Sequence, residues 1–192
     1  MISKHLRNLT LLFLLSAPLQ LAAAPQAYML DPRGTEIGFS YTLGGVETSG
    51  SMPLKSAALS IDFRRLENTR ISVTLDAYRA RTALPLAESA LKGAAILDTD
   101  RYPTIQFRSD SVRADGAGAK MTGQLTLRGR TLPVTLDARF FRLPDRAPED
   151  LSTLVIILEG RLSRSAFGAS GYADLVADPV DLRIRATIRR TE

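Results

Sequence analysis

Residues Thr122 to Leu136 read Thr-Gly-Gln-Leu-Thr-Leu-Arg-Gly-Arg-Thr-Leu-Pro-Val-Thr-Leu. Leu125 and Leu127 fall on one side of an extended chain, with Gln124, Thr126 and Arg128 on the other. After Arg128-Gly129-Arg130 the alternation restarts with Leu132, Val134 and Leu136. Period-two alternation on both sides of a flexible glycine predicts a β-hairpin with a short loop. Pro133 cannot donate to a ladder, so it is expected at the start of the second strand or at an edge or bulge.

Most of the chain repeats this pattern of half-buried strands. A short extended piece at Tyr28 is followed by a turn at Asp31-Pro32-Arg33-Gly34 and a strand over Thr35 to Leu43, which ends at Gly44-Gly45. Val46 to Met52 reads as a weaker strand. Leu59, Ile61 and Phe63 alternate in a third, and Ile71, Val73, Leu75 and Ala77 in a fourth, so these four predict a sequential antiparallel meander. Further strands are predicted over Thr104 to Val112, Leu154 to Leu162 and Val180 to Ile188, and the hairpin extends to Leu143 with Phe140 and Phe141 on opposite sides. The period changes once, in the stretch from Leu84 to Gly93, where Leu84, Ala87 and Leu91 stand near helical spacing and Gly93 marks a stop. One short helix inserted among eight or nine strands is expected at a barrel mouth. The fold class is therefore all-β, a sandwich or an antiparallel barrel of about eight strands.

The amino terminus is set apart from this pattern. Lys4 and Arg7 precede the apolar run Leu9 to Leu15, and Ala22-Ala23-Ala24 offers small residues for cleavage, so residues 1–24 read as a signal peptide rather than a buried helix. The cut is expected within Ala22 to Ala27. What remains, 25–192, is 192 − 24 = 168 residues, the size of one domain. The chain carries 25 basic and 20 acidic residues; without Lys4 and Arg7 the balance is 23 − 20 = +3, too modest for a nucleic-acid protein. Asp181, Arg183, Arg185 and Arg189 recur along the last strand as an outer solvated face, or as a weak attraction for anionic headgroups at a membrane surface.

The sequence has no cysteine and no tryptophan, and its one histidine is His5. That excludes Ser-His-Asp and Cys-His catalysis, ordinary zinc sites and disulfide staples in the exported chain. Asp98 and Asp100 suggest the start of a calcium loop, but its glycine and closing glutamate are missing. They read instead as a turn in which the aspartates cap backbone amides and pair with Arg101. Ser163, Ser165 and Ser170 have no base to activate them, and strands separate Glu47, Glu67, Glu88 and Glu159. No catalytic residue is predicted, and the chain is read as no enzyme. Apolar binding remains, with Phe39, Tyr41, Phe107, Phe140, Phe167 and Tyr172 as the aromatic candidates for an interior wall.

Three segments together resemble the YceI-like family of periplasmic polyisoprenoid-binding proteins. Asp98-Thr-Asp-Arg-Tyr-Pro-Thr-Ile-Gln-Phe-Arg-Ser is similar to the family's aspartate, Tyr-Pro and Ile-x-Phe-x-Ser pattern. Gly123 to Leu136 resembles its Gly-Asp-Leu-Thr-Ile-x-Gly-x-Thr-x-Pro-Val hairpin, and Arg164-Ser-Ala-Phe-Gly its Arg-Ser-x-Phe-Gly turn. The resemblance implies a lipocalin-like barrel with a long apolar tunnel that holds an isoprenoid chain such as a quinone tail. The family's helix commonly opens with Arg-Asp and carries a histidine before a leucine, where this chain has Ala87-Glu88-Ser89-Ala90-Leu91, and a histidine often seen near the first strand is replaced at about Gly34.

The combined expectation is a periplasmic carrier for an isoprenoid or isoprenoid quinone, needing no cofactor or metal. Its apolar wall is expected to come from Phe39, Tyr41, Val73, Leu75, Leu91 and Ile105, together with Phe107, Leu125, Leu127, Leu136, Phe140 and Phe167. A filled barrel acting through its arginine-bearing face is the alternative, and a homodimer through edge strands is compatible with the pattern.

Overall fold

A computed structural model describes residues 24–147 and 149–191. The signal-peptide reading of residues 1–24 therefore lies, apart from Ala24, outside the described residues. The described residues form eleven strands, one α-helix and a 3-10 turn at Leu66–Asn68. The first six strands are β1 (Gln26–Leu30), β2 (Glu36–Leu43), β3 (Val46–Ser51), β4 (Leu54–Ile61), β5 (Arg70–Asp76) and β6 (Arg81–Thr82). The helix, α1 (Pro85–Lys92), precedes β7 (Thr104–Asp115), β8 (Gly118–Leu127), β9 (Arg130–Arg142), β10 (Thr153–Ser163) and β11 (Val176–Arg190).

The eleven strands make eight staves of a closed antiparallel barrel. β1 and β2 lie end to end along one edge of β11, with Leu30 opposite Ile188 and Glu36 opposite Arg185. β3 and β4 continue each other through Met52-Pro53, β3 pairing with β2 and β4 with β1. β5 and β6 form the third interrupted stave, and β7 to β11 pair in sequence back to β1 and β2. The meander is thus present, with one correction. Val46 to Met52 and Leu59 to Phe63 are not neighbouring strands; they belong to one stave bent at Pro53, which cannot donate its amide.

The opening hairpin turns through Arg128 (φ 54°) and Gly129 (φ 72°), both left-handed, as a two-residue turn that matches strand twist requires. Pro133 lies within β9, opposite Gln124, three positions in from the strand start. β9 meets β10 only from Leu136 onward, so at Pro133 the strand has one neighbour and its missing N–H deprives no ladder. Ala119, Met121, Gly123, Leu125 and Leu127 of β8 are buried, as are Val134, Leu136 and Ala138 of β9, and the residues that alternate with them are more exposed.

Outside, the wall carries cross-strand ion pairs. Arg139 of β9 reaches Glu159 of β10 at 2.8 Å, Glu159 also meets Arg183 of β11 at 3.5 Å, and Arg161 meets Asp181 at 2.6 Å. Closure through β11 leaves only stretches of strand edge unpaired among the described residues, such as residues 130–135 of β9 before it meets β10.

The β1–β2 junction is clasped by Thr187 of β11. Asp31 N donates to Thr187 O at 2.8 Å, Thr187 N donates to Thr35 Oγ1 at 3.2 Å, and Thr187 Oγ1 donates to Gly34 O at 2.8 Å. A Cβ on Gly34 would stand 2.5 Å from Thr187 Oγ1, so the junction has room only for glycine. Gly34→Ala is expected to cost about 1–3 kcal/mol of stability through that overlap. Urea denaturation of Gly34→Ala, Thr187→Ala and the double variant checks it: the double variant should lose less than the two single losses combined, because removing Oγ1 and Cγ2 takes away two of the three close contacts and leaves only the Thr187 Cβ, at 2.8 Å.

Candidate ligand-binding site

The barrel's two ends differ. At one end Tyr28, Phe63 and Phe140 form an aromatic stopper, with Phe63 edge-on to Tyr28 at 5.8 Å and to Phe140 at 5.7 Å between ring centroids. Tyr28 fixes its place by donating its hydroxyl to Leu151 O at 2.9 Å. Val112, Ala119, Ala138 and Leu154 complete the cluster there. At the other end α1, the β2–β3 turn, the β8–β9 turn and the β10–β11 connection frame a mouth.

Between them runs an apolar cavity of about 640 Å³. Its wall follows β11 from Val176 through Val180, Leu182, Ile184 and Ala186 to Ile188, about 40 Å of strand. With the tilt of barrel strands this is about 30 Å along the axis. The interior stays open because large side chains lie flat on the wall over glycines. Phe39 faces Gly50 across β2 and β3, and a Cβ there would stand 2.3 Å from Phe39 Cζ. Phe107 lies over Gly123 at 2.5 Å, and Leu136 over Gly160 at 2.6 Å by the same measure. Each glycine lowers one patch of wall so that the ring or branch opposite it does not cross the lumen. The filled-barrel alternative does not describe this interior.

Phe39, Tyr41, Val73, Leu75, Leu91 and Ile105 line the cavity, as do Phe107, Leu125, Leu127 and Leu136. Two predicted wall residues do not. Phe140 belongs to the stopper, because its position near the end of β9 puts it beyond the lumen. Phe167 is buried within the β10–β11 connection, at 2% exposure, as a member of the cluster with Ile96, Leu127, Val134 and Ala169, and it is not on the cavity wall. The sequence reading also missed the β11 stripe as wall. Its alternation was the cleanest in the chain, and that was the signal.

The mouth is held by three arginines bonded to neutral carbonyls. Arg128 Nη1 donates to Ala94 O at 2.6 Å and Ile96 O at 2.9 Å, tying the hairpin turn to the segment after α1. Arg130 Nη1 donates to Ala166 O at 3.0 Å. Arg164, buried and on the cavity wall, gives Nε to Ala177 O at 3.0 Å, Nη2 to Val176 O at 2.6 Å, and Nη1 to Ala169 O and to Gly171 O, the last at 2.8 Å. This explains the motif chemically: one guanidinium replaces the missing strand bonds of a long connection. Hydrogen bonds from Ser163 and Ser165 hold the Asp178 carboxyl below its ordinary range beside it.

The helix lies where the change of period placed it, with Leu84, Ala87, Ala90 and Leu91 closing part of the mouth. It starts at Pro85 after a Leu84 that offers no side-chain cap, and ends at Gly93, whose N–H returns to Ser89 O and Ala90 O. The Asp98 reading needs correction. Asp98 adopts φ 53°, and its carbonyl, not its carboxylate, receives Arg101 N and Tyr102 N, while Arg101 lies over the Tyr102 ring at 5.3 Å. Among the described residues no three His, Cys, Asp or Glu side chains stand together as a metal site.

A closed eight-stranded antiparallel barrel around an apolar cavity with one helix-framed mouth defines a lipocalin-like class of protein. Residues 28–188 match the YceI-like domain, and the chain belongs to that family. Protein YceI of Escherichia coli is 28% identical over 121 residues, 62% of this chain and 63% of its own length. The chain thus spans somewhat under two thirds of that relative. A UPF0312 protein of Pectobacterium carotovorum is 28% identical over 142 residues, 72% of this chain and 73% of its own. In fold the chain is similar to BcnA of Burkholderia cenocepacia, with a TM-score of 0.73 at 20% identity over 83% of this chain and 99% of that one. The YceI protein of Campylobacter jejuni gives 0.61 at 23% identity, over 74% and 84%.

Burial holds the phenols of Tyr28 and Tyr41 above their ordinary value, the Thr82 hydroxyl pulling the other way on Tyr41. A raised phenol favours the folded state fully below about pH 10 and loses that contribution as pH rises through its folded value. Tyr41 is on the cavity wall and Tyr28 is not. An apolar chain in the cavity should therefore delay tyrosinate formation at Tyr41 further and leave Tyr28 unchanged. Ultraviolet titration with and without ligand, beside Tyr41→Phe, checks this; a late step that does not move places the ligand away from Tyr41.

Proposed function

We propose that this protein is a periplasmic carrier or sequestering protein that holds an isoprenoid or isoprenoid quinone non-covalently inside its barrel, without catalysis. The observation that carries the reading is the continuous apolar cavity of about 640 Å³. Its wall offers water almost no hydrogen-bond partners, so water inside it is poorly held, and an apolar chain that displaces it contributes about 0.8 kcal/mol for each methylene buried, which over a long tail exceeds the ordering cost of binding.

The length of the lumen favours an elongated chain over a compact ligand, and the mouth is where a polar end remains in water. Export is part of the same reading. Residues 1–24 carry a basic start and an apolar run, and a cut before Gln26 keeps β1 whole, since Gln26 is its first paired residue.

Mass spectrometry of an organic extract of the protein purified from periplasm is expected to find a stoichiometric isoprenoid or quinone. An unrelated exported protein prepared identically should lack it, and equal amounts in both would sink the proposal. Leu75→Trp and Leu127→Trp fill the lumen from β5 and β8. Each should abolish lipid retention while the protein still unfolds cooperatively, because the added ring takes up space meant for ligand. A loss of about 1–3 kcal/mol with no change in bound lipid would instead mark an overpacked core.

A further inference from the structure

The exposed large apolar side chains are not spread evenly over the molecule. Among the described residues there are eight, and five of them, Val46, Leu84, Leu86, Tyr172 and Leu175, stand on the segments that frame the mouth. Leu86 is 92% exposed at the start of α1. Of the rest, Met29 and Phe141 point outward from β1 and β9, and Tyr78 sits in the β5–β6 interruption. Leu84, Leu86, Tyr172 and Leu175 also line the cavity, so one apolar surface runs from the lumen over the rim without a polar break.

The rim is a fixed ring. Gly44 N donates to Leu175 O at 2.8 Å, Ala83 N to Ser49 O at 3.0 Å, and Gly171 N to Ala95 O at 3.0 Å. Tyr172 is held at φ 57°, a left-handed backbone that bulky residues rarely adopt. The turn that imposes it, closed by Leu175 N and Val176 N on Tyr172 O, places an amphipathic ring at the opening. Such rings suit the boundary between hydrocarbon and water.

We infer that this rim docks the mouth onto a lipid bilayer, so that an apolar chain passes between membrane and lumen without crossing water. The inference rests on the carrier reading for its purpose, though not for its geometry. A second copy of the chain fits less well: a stable protein interface takes roughly 20–30 residues a side, and five side chains around an opening fall far short. A bilayer sets no such threshold, because each side chain that enters it contributes by its own buried area. Charges near the mouth are close to balance, seven basic residues (Arg79, Arg81, Lys92, Arg101, Arg128, Arg130 and Arg164) standing against six acidic ones (Glu47, Glu88, Asp98, Asp100, Asp174 and Asp178). Docking is therefore apolar and nearly indifferent to salt.

Flotation of the full chain with phosphatidylcholine vesicles, with and without phosphatidylglycerol, tests this at low and high salt. The native protein should float in every condition. Val46→Asp, at a rim residue off the cavity wall, and Leu86→Asp should each lower the bound fraction about tenfold, the effect of withdrawing one apolar side chain, whereas Phe141→Asp on the outer wall should leave it unchanged. Uptake of a fluorescent prenyl chain from cyclodextrin, where no membrane is present, should be equal in the native protein, Val46→Asp and Phe141→Asp, and reports an intact barrel. Rim variants that float like the native protein overturn the inference, as does a native protein that takes up the chain but does not float. A native dimer that Leu86→Asp dissociates would overturn it too, assigning the rim to a second copy. Vesicle binding lost in the rim variants, in a protein that takes up no chain from cyclodextrin, would uphold the docking surface and sink the carrier reading.

Discussion

The free edge of β11 is where the sheet becomes a wall. β10 occupies one side of the strand along its full pairing register, and the other side is shared by β2 and β1 with the Asp31–Thr35 segment between them. A barrel with a packed centre could tolerate a loose seam, because side-chain contacts across the lumen would hold the opposite walls together. This one has about 640 Å³ of apolar space where those contacts would be. Ladder hydrogen bonds, and clusters of side chains at the two ends, must therefore hold the shape. Thr187 matters for that reason: it bonds both sides of the seam where the ladder is interrupted. Thr187 is itself only 8% exposed, so these bonds form away from competing water.

Hollowness has a local cause as well as a global one. Strands rich in Phe and Leu would normally close a barrel of eight staves, whose interior is only wide enough for side chains or one small ligand. Placing Phe39 over Gly50, Phe107 over Gly123 and Leu136 over Gly160 lets the wall absorb its own large side chains. The rings keep their burial on the sheet and the lumen keeps its volume. Glycine weakens a strand by roughly 0.5–1 kcal/mol relative to alanine. A ring packed over it recovers part of that by covering the exposed backbone.

Alternation in the sequence reveals which side of a strand a residue faces, and it did so correctly for β8 and β9 and across Phe140 and Phe141. It carries no information about depth along the barrel, which is why Phe140, inward but past the end of the lumen, was read as wall. Depth depends on where the strands start relative to one another, and register comes from turns such as Arg128-Gly129 and from the bend at Pro53. Phe167 failed for a different reason. It stands in a connection, where no period applies, and its burial follows from the bonds of Arg164 to Ala169, Gly171, Val176 and Ala177. The cavity itself was not legible, because it rests on glycines and large side chains that meet only once the register of neighbouring strands is set. The helix was legible because its period differs from everything around it.

Arginine serves two different purposes in this molecule, and the difference bears on how the mouth behaves. On the outer wall Arg139, Arg161 and Arg183 face carboxylates across strands in exposed pairs, each worth little and weakened by salt. At the mouth Arg128, Arg130 and Arg164 donate instead to carbonyls of the loops they support. A guanidinium whose hydrogen bonds all go to carbonyls depends less on an opposite charge, so added salt or a nearby charged surface has less purchase on those bonds. Bonds of that kind keep the α1 segment, the hairpin turn and the β10–β11 connection together as one ring. An apolar rim on freely moving loops would fold inward and cover its own lumen, since that buries the same area at less cost. Holding the loops at the carbonyls keeps Leu86, Tyr172 and Leu175 facing outward with the cavity open behind them.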